Sequence, residues 1–215
     1  MQDSLTDVET RVLGSLIEKE MTTPDYYPLS LNALTNACNQ SSNRDPIVQY
    51  DESTVADAIA SLRKRSLVRA IEQSGSRVTK YRHLVNETMG VIARQAAVLG
   101  VLMLRGPQTL AELRTRTDRL VGFESLDEVE TTLNQLISRE PKPLVALLPR
   151  RPGQKELRYA HLLAGEVSFD TPDAVPVRRE ASPDRIAVLE ASIEELRKEV
   201  ADLRTQLDEF RKQFE

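Results

Sequence analysis

One segment of this chain is written twice, and that repetition narrows the folds open to it more than any other feature. Residues 51–84 read as a helix, a short strand, a polar turn and a second strand closing on Tyr81-Arg82-His83-Leu84. Residues 125–162 repeat that order and close on Tyr159-Ala160-His161-Leu162. Two further helical stretches precede each copy. Three helices followed by a two-stranded hairpin is the order of a winged helix, a fold that offers one helix and one loop to a partner. The expected fold class is mainly α with small β hairpins (α+β). Two tandem winged-helix domains are expected over residues 1–87 and 88–164.

Local signals place the elements. Thr6-Asp7-Val8-Glu9 is a capping box, and Val8, Val12, Leu13, Leu16 and Ile17 behind it fall on one helical face. Pro24 in Thr22-Thr23-Pro24-Asp25 stops that helix, and Tyr26 and Tyr27 are expected to turn back onto the core. Ser30 can cap a second helix carrying Leu31, Leu34, Ala37 and Cys38. After a polar stretch at 39–46, Asp51 or Ser53 opens a third helix with Val55, Ile59 and Leu62 on one face. Residues 67–71 and 78–84 read as strands around Ser74-Gly75-Ser76.

The second copy begins near Thr88 with its most apolar helix, carrying Val91, Ile92, Ala96, Leu99, Leu102 and Met103. That helix is expected to be the more buried one. Gly106-Pro107 ends it, and Gln108 or Thr109 opens the next, with Leu110 and Leu113 in the places of Leu31 and Leu34. Ser125 and Glu128 cap the helix of Val129, Leu133, Leu136 and Ile137. Strands at 144–148 and 157–162 flank a basic loop, Pro149-Arg150-Arg151-Pro152-Gly153-Gln154-Lys155.

Residues 165–183 read as a Pro-containing linker. From 184 to 215 a different pattern takes over. Ile186, Leu189, Ile193, Leu196, Val200, Leu203, Leu207, Phe210 and Phe214 alternate spacings of 3 and 4, the a/d seam of a coiled coil. β-branched residues at the first three a positions with Leu at d favour a parallel pair of helices, and Glu199 would then face Arg204 of the other chain. A homodimer joined through this seam is expected. The competing arrangement is a single helix folded back on its own chain.

Composition bounds the function. The net charge of −4 does not advertise nucleic-acid binding, yet residues 88–164 hold 11 basic against 8 acidic side chains. Cys38 is the only cysteine, so no internal disulfide can form, and the longest apolar run, 96–104, is under half a membrane span. The chain reads as cytoplasmic with no membrane partner. Two histidines at equivalent points of the repeats suggest a structural role, no Cys/His pair has metal-ligand spacing, and no Gly-rich phosphate loop is present. Neither an enzyme nor a metal or other cofactor is expected.

DNA is the first partner to weigh. Asn39, Gln40, Ser42, Asn43 and Arg44 precede the third helix, Arg63, Lys64 and Arg65 end it, and Arg77, Lys80 and Arg82 follow on the hairpin. In the second copy Arg150, Arg151 and Lys155 make a basic wing tip, with Arg114, Arg116 and Arg119 upstream. Guanidinium and ammonium groups suit phosphates, and amides suit adenine edges. Against this, the third helices open with Asp51, Glu52 and Asp57 and with Asp127, Glu128 and Glu130. Carboxylates there repel phosphate, although any helix N-terminus favours them. Two readings follow: a DNA-binding regulator, and a protein-assembly scaffold using the same surfaces and the coil.

The chain also resembles the YceH-like family of bacterial proteins. The residues that carry the resemblance are Leu5-Thr6-Asp7-Val8-Glu9-Thr10-Arg11-Val12-Leu13-Gly14, Leu16-Ile17-Glu18-Lys19-Glu20 and the segment from Thr22 to Asn32. It is strongest at Ala37-Cys38-Asn39-Gln40, followed by Ser42-Asn43-Arg44-Asp45-Pro46. The resemblance spans nearly the whole chain and implies tandem winged helices without implying a biochemical activity. It marks 39–46 as more than a spacer.

Overall fold

A computed structural model describes residues 4–72, 78–150, 154 and 156–165. The first helix, α1 (Asp7–Thr22), starts at Thr6, whose hydroxyl accepts from the Glu9 amide at 3.2 Å while the Glu9 carboxylate accepts from the Thr6 amide at 2.7 Å. Both amides would otherwise lack partners. A short 3-10 turn, Pro24–Tyr26, redirects the chain into β1 (Leu29–Ser30), and the Ser30 hydroxyl caps α2 (Leu31–Cys38). Asp51 caps α3 (Glu52–Lys64), accepting from the Thr54 amide at 2.7 Å. Then β2 (Val68–Ile71) and β3 (Lys80–His83) pair antiparallel, and β1 joins the far side of β3.

A short helix, α4 (Val85–Met89), closes at Gly90, whose φ of 59° lies in the left-handed region that favours glycine. The second half follows as α5 (Ala93–Arg105), α6 (Leu110–Thr117), α7 (Leu126–Ile137), β4 (Val145–Leu148) and β5 (Arg158–His161). Thr109 and Ser125 cap α6 and α7. The described residues are thus mainly helical with two small antiparallel sheets, an α+β fold. Tyr27 packs on the core as expected; Tyr26 does not, being 78% exposed at the tip of its turn.

The sequence repeat is reproduced in the hairpin pairing. Val68 pairs with His83 in the first half and Val145 with His161 in the second. The Leu84 amide donates to the Leu67 carbonyl at 2.8 Å, and the Leu162 amide to the Leu144 carbonyl at 2.9 Å. Even the third strand has its counterpart, a single bridge between Gln108 and Tyr159.

The two halves nevertheless share one core. Leu13, Leu16 and Ile17 of α1 and Leu99 and Leu102 of α5 are fully buried in one continuous apolar cluster. Two glycines set how closely the helices approach. A Cβ on Gly14 would sit 3.0 Å from atoms of Leu104 and Met103, and one on Gly100 would sit 3.0 Å from Ile17 Cγ2. The apolarity of α5 is therefore spent on α1 of the other repeat. All described residues belong to a compact unit spanning Met1–Val167; the second unit, Ser168–Glu215, lies outside them. So do most of the linker expected at 165–183 and all of the heptad seam from Ile186 to Phe214.

The equivalent histidines have diverged. His83 is buried; the Val85 amide donates to its Nδ1 at 3.3 Å, so Nε2 carries the proton, 2.8 Å from a Glu20 carboxylate oxygen. The adjacent His83 ring holds the Glu20 carboxyl below its ordinary range, and the His83 amide donates to the Tyr27 hydroxyl at 2.8 Å. His161 has a buried Nδ1 with no partner among the described residues, and burial pushes its pKa down to about 4. Above pH ~6.5 the ring is neutral in both states and makes no pH-dependent contribution. As pH falls through that value the unfolded chain takes up a proton that the folded chain refuses until about pH 4. Stability should therefore fall by roughly 2–3 kcal/mol between those limits. Urea unfolding at stepped pH should show that loss, and His161→Phe should remove its histidine-dependent part.

Candidate nucleic-acid interface

The polar segment before α3 folds inward. The Asn39 side chain clamps the backbone of Tyr50, donating to its carbonyl at 2.7 Å and accepting from its amide at 2.8 Å. Arg44 is 6% exposed and its side chain is fully covered. Its guanidinium donates to the Ala37 carbonyl at 3.1 and 2.8 Å, to Gln40 at 3.0 Å and to the Glu18 carboxylate at 2.6 Å. From α1, Arg11 reaches the Cys38 and Pro46 carbonyls at 3.2 and 2.6 Å. Burial, and then the repulsion of Arg44, weaken the hold of Arg11 on its proton. Cys38 is a covered apolar filler whose thiol pKa is raised by burial.

The same network ties the two halves together. The second Glu18 oxygen accepts from Arg119, Asn43 accepts from Arg105, and the Asp45 amide donates to the Leu104 carbonyl at 2.8 Å. Asn43 holds φ at 60°, a left-handed turn that asparagine tolerates better than most residues. Arg44 as a DNA contact is thereby corrected. A guanidinium with no exposed surface and a buried carboxylate partner cannot reach a phosphate. Asn39, Gln40 and Asn43 are likewise committed to protein partners, and of this group only Ser42 stays exposed without a side-chain bond among the described residues.

The cations at the end of α3 behave differently. Arg63 and Lys64 are exposed, and with Arg69 of β2 they line a shallow depression of roughly 590 Å³. The lining contains no carboxylate. Arg69 pairs across the sheet with Arg82, itself bonded to Glu87, and Lys80 sits half-buried opposite Ile71. In the second half Arg150 is exposed just beyond β4. The residues Arg77, Arg151 and Lys155 lie outside the described residues. Of the upstream arginines, Arg116 pairs with Glu112 at 3.4 Å, Arg119 is bound to Glu18, and Arg114 reaches the Glu124 carbonyl at 3.4 Å.

The exposed starts of the third helices carry acid. Asp51, Glu52 and Asp57 face solvent on α3, with Glu52 accepting from Asn32 of α2 at 3.1 Å. On α7 Glu128 is bonded to Arg94, while Asp127 and Glu130 are exposed.

Residues 5–154 match a family described as "Protein of unknown function, DUF480". This chain belongs to that family. It is 49% identical to a UPF0502 protein of Pelobacter propionicus, with all of both chains covered. It is 46% identical to a UPF0502 protein of Vibrio vulnificus, over 95% of this chain and 97% of the relative. The segment matching DUF480 contains the whole Glu18–Arg44–Arg119 network and the Arg63–Lys64–Arg69 surface. Among the described residues of this DUF480 protein, no helix is long and apolar enough to cross a membrane.

Two features escaped the sequence reading. Arg69 could have been found, since strict alternation along β2 puts it on the face opposite buried Val68. Glu18 carries no such signal. On α1 it reads as one more solvated acid, and only the fold brings it to Arg44.

Proposed function

We propose that this protein binds double-stranded DNA in a regulatory role, through tandem winged helices and without catalysing a reaction. It would act in the cytoplasm as a homodimer joined along the seam of residues 184–215. The winged-helix reading rests on the order of three helices and a hairpin in each half, with a third strand against the hairpin. It agrees with the YceH-like resemblance.

The observation that carries the DNA reading is the exposed triad Arg63, Lys64 and Arg69, gathered at the end of α3 with no carboxylate in the lining. Three such cations suit three phosphates, and a parallel dimer would double the number of sites. Fluorescence anisotropy of the full chain against mixed-sequence duplex DNA tests this. Micromolar binding is expected at low salt, with log K falling against log salt by about 0.9 per phosphate neutralised. Absence of binding at 20–50 mM salt, on the order of the lowest practical ionic strength, would remove the reading.

A protein-assembly scaffold is the second reading. The exposed acids Asp51, Glu52 and Asp57 favour it, because they stand where a recognition helix would approach bases. In that case DNA affinity is absent and the acidic face of α3 meets a basic protein surface.

A further inference from the structure

On the side of the molecule where the hairpin bases of the two repeats approach each other lies a cavity of about 520 Å³. It is partly open to solvent, and its volume falls within the range of small-ligand sites. Equivalent positions of the repeats build it: Leu67 after α3 and Leu144 after α7, joined by Leu5 and Leu163. The last two are held together by a bond from the Leu5 amide to the Leu163 carbonyl at 2.8 Å. Leu5, Leu67 and Leu144 are each 6% exposed, so they form an apolar floor.

The charged part of the lining is entirely positive. Arg139 and Lys142 contribute to the wall, as does Arg65, which already bonds the Ser4 carbonyl at 3.3 Å and lies 3.8 Å from the Glu9 carboxylate; no Asp or Glu lines it. Arg139 donates one N–H to the Met89 carbonyl, which orients its guanidinium and leaves further donors on the same fork. Lys142 is exposed and makes no ion pair among the described residues. An apolar floor beneath a cationic rim matches an amphiphilic anion, of which a carboxylate on a short hydrocarbon body is the simplest. A neutral hydrocarbon would leave Lys142 and the remaining donors of Arg139 unanswered, and a bare inorganic anion would leave the leucine floor empty.

We propose that this cavity binds a small amphiphilic carboxylate, with its apolar body on Leu5, Leu67 and Leu144 and its anionic head between Arg139 and Lys142. Such a ligand touches both repeats at once. The site is separate from Arg63, Lys64 and Arg69, so it stands or falls independently of DNA binding.

Isothermal titration of the full chain with sodium octanoate, 1-octanol and sodium acetate is the test. Octanoate should bind at least tenfold more tightly than octanol, and acetate should not bind. Lys142→Gln, an exposed change that spares the fold, should weaken octanoate on the order of tenfold, the worth of one charged hydrogen bond. Met89→Trp, which fills the cavity, should abolish binding, with retained helicity confirmed by circular dichroism. Equal affinity for octanoate and octanol, or an unchanged affinity in Lys142→Gln, would overturn the proposal.

Discussion

Glu18→Ala is expected to cost about 3–5 kcal/mol of folding stability, the usual consequence of removing one partner of a buried ion pair. The reason is what it leaves behind. Arg44 has no exposed side-chain surface, and its 2.6 Å bond to Glu18 is the only carboxylate contact among its described partners. The Ala37 carbonyl and Gln40 would still accept from the guanidinium, but neither carries a compensating charge. Arg119→Ala removes the other ligand of the same carboxylate, yet its side chain is 47% exposed and can hydrate, so it should cost no more than about 1 kcal/mol. Replacing both members of the buried pair, Glu18→Leu with Arg44→Met, should be far milder than Glu18→Ala, because no charge is stranded. Urea denaturation of these variants tests the ordering. Equal losses for Glu18→Ala and Arg119→Ala would show that the burial of Arg44 is not what makes Glu18 matter.

The second large effect concerns the contact between α1 and α5. Ile17→Ala should cost about 2–5 kcal/mol, as truncation of a fully buried aliphatic side chain does. Gly100→Val should cost about 1–3 kcal/mol, since a Cβ there stands 3.0 Å from Ile17 Cγ2 and the helices must separate. Together the two changes should cost less than their sum by at least 0.5 kcal/mol, roughly the smallest coupling expected of residues in contact, because alanine at 17 makes room for valine at 100. The residues are far apart in sequence and lie in different repeats. Strict additivity would mean that the halves do not meet along this face. Because one core serves both, unfolding should also be a single transition by fluorescence and by circular dichroism, with no step in which one repeat melts before the other.

Local chemistry was legible in the sequence and long-range pairing was not. Thr6, Ser30, Thr109 and Ser125 each cap a helix as their spacing foretold, and the strand pairs fall within a residue or two of their expected ends. These signals act over three or four residues, so a single stretch of sequence contains them whole. The segment around Arg44 shows the limit. A run of amides with an arginine looks the same whether it faces a ligand or satisfies buried carbonyls, and what decides is the position of Glu18 and Arg11 on another helix. The apolarity of α5 was plain; that it would be buried on α1 of the other repeat was not, because periodicity marks a face without naming its partner. On the cationic surface Arg63 and Lys64 stand out in the sequence, whereas Arg69 joins them only when β2 turns back beside α3.

If the protein binds duplex DNA as proposed, the outer cations at the end of α3 meet the phosphates and buried Arg44 does not. The most direct test compares the salt dependence of duplex binding for the unaltered protein and for Arg63→Ala/Lys64→Ala/Arg69→Ala. All three side chains line an open surface depression, so the substitutions should leave the fold intact. The triple variant should bind more weakly, with a log–log slope shallower by about 0.9 for each lost phosphate contact. An unchanged slope in the triple variant would contradict it.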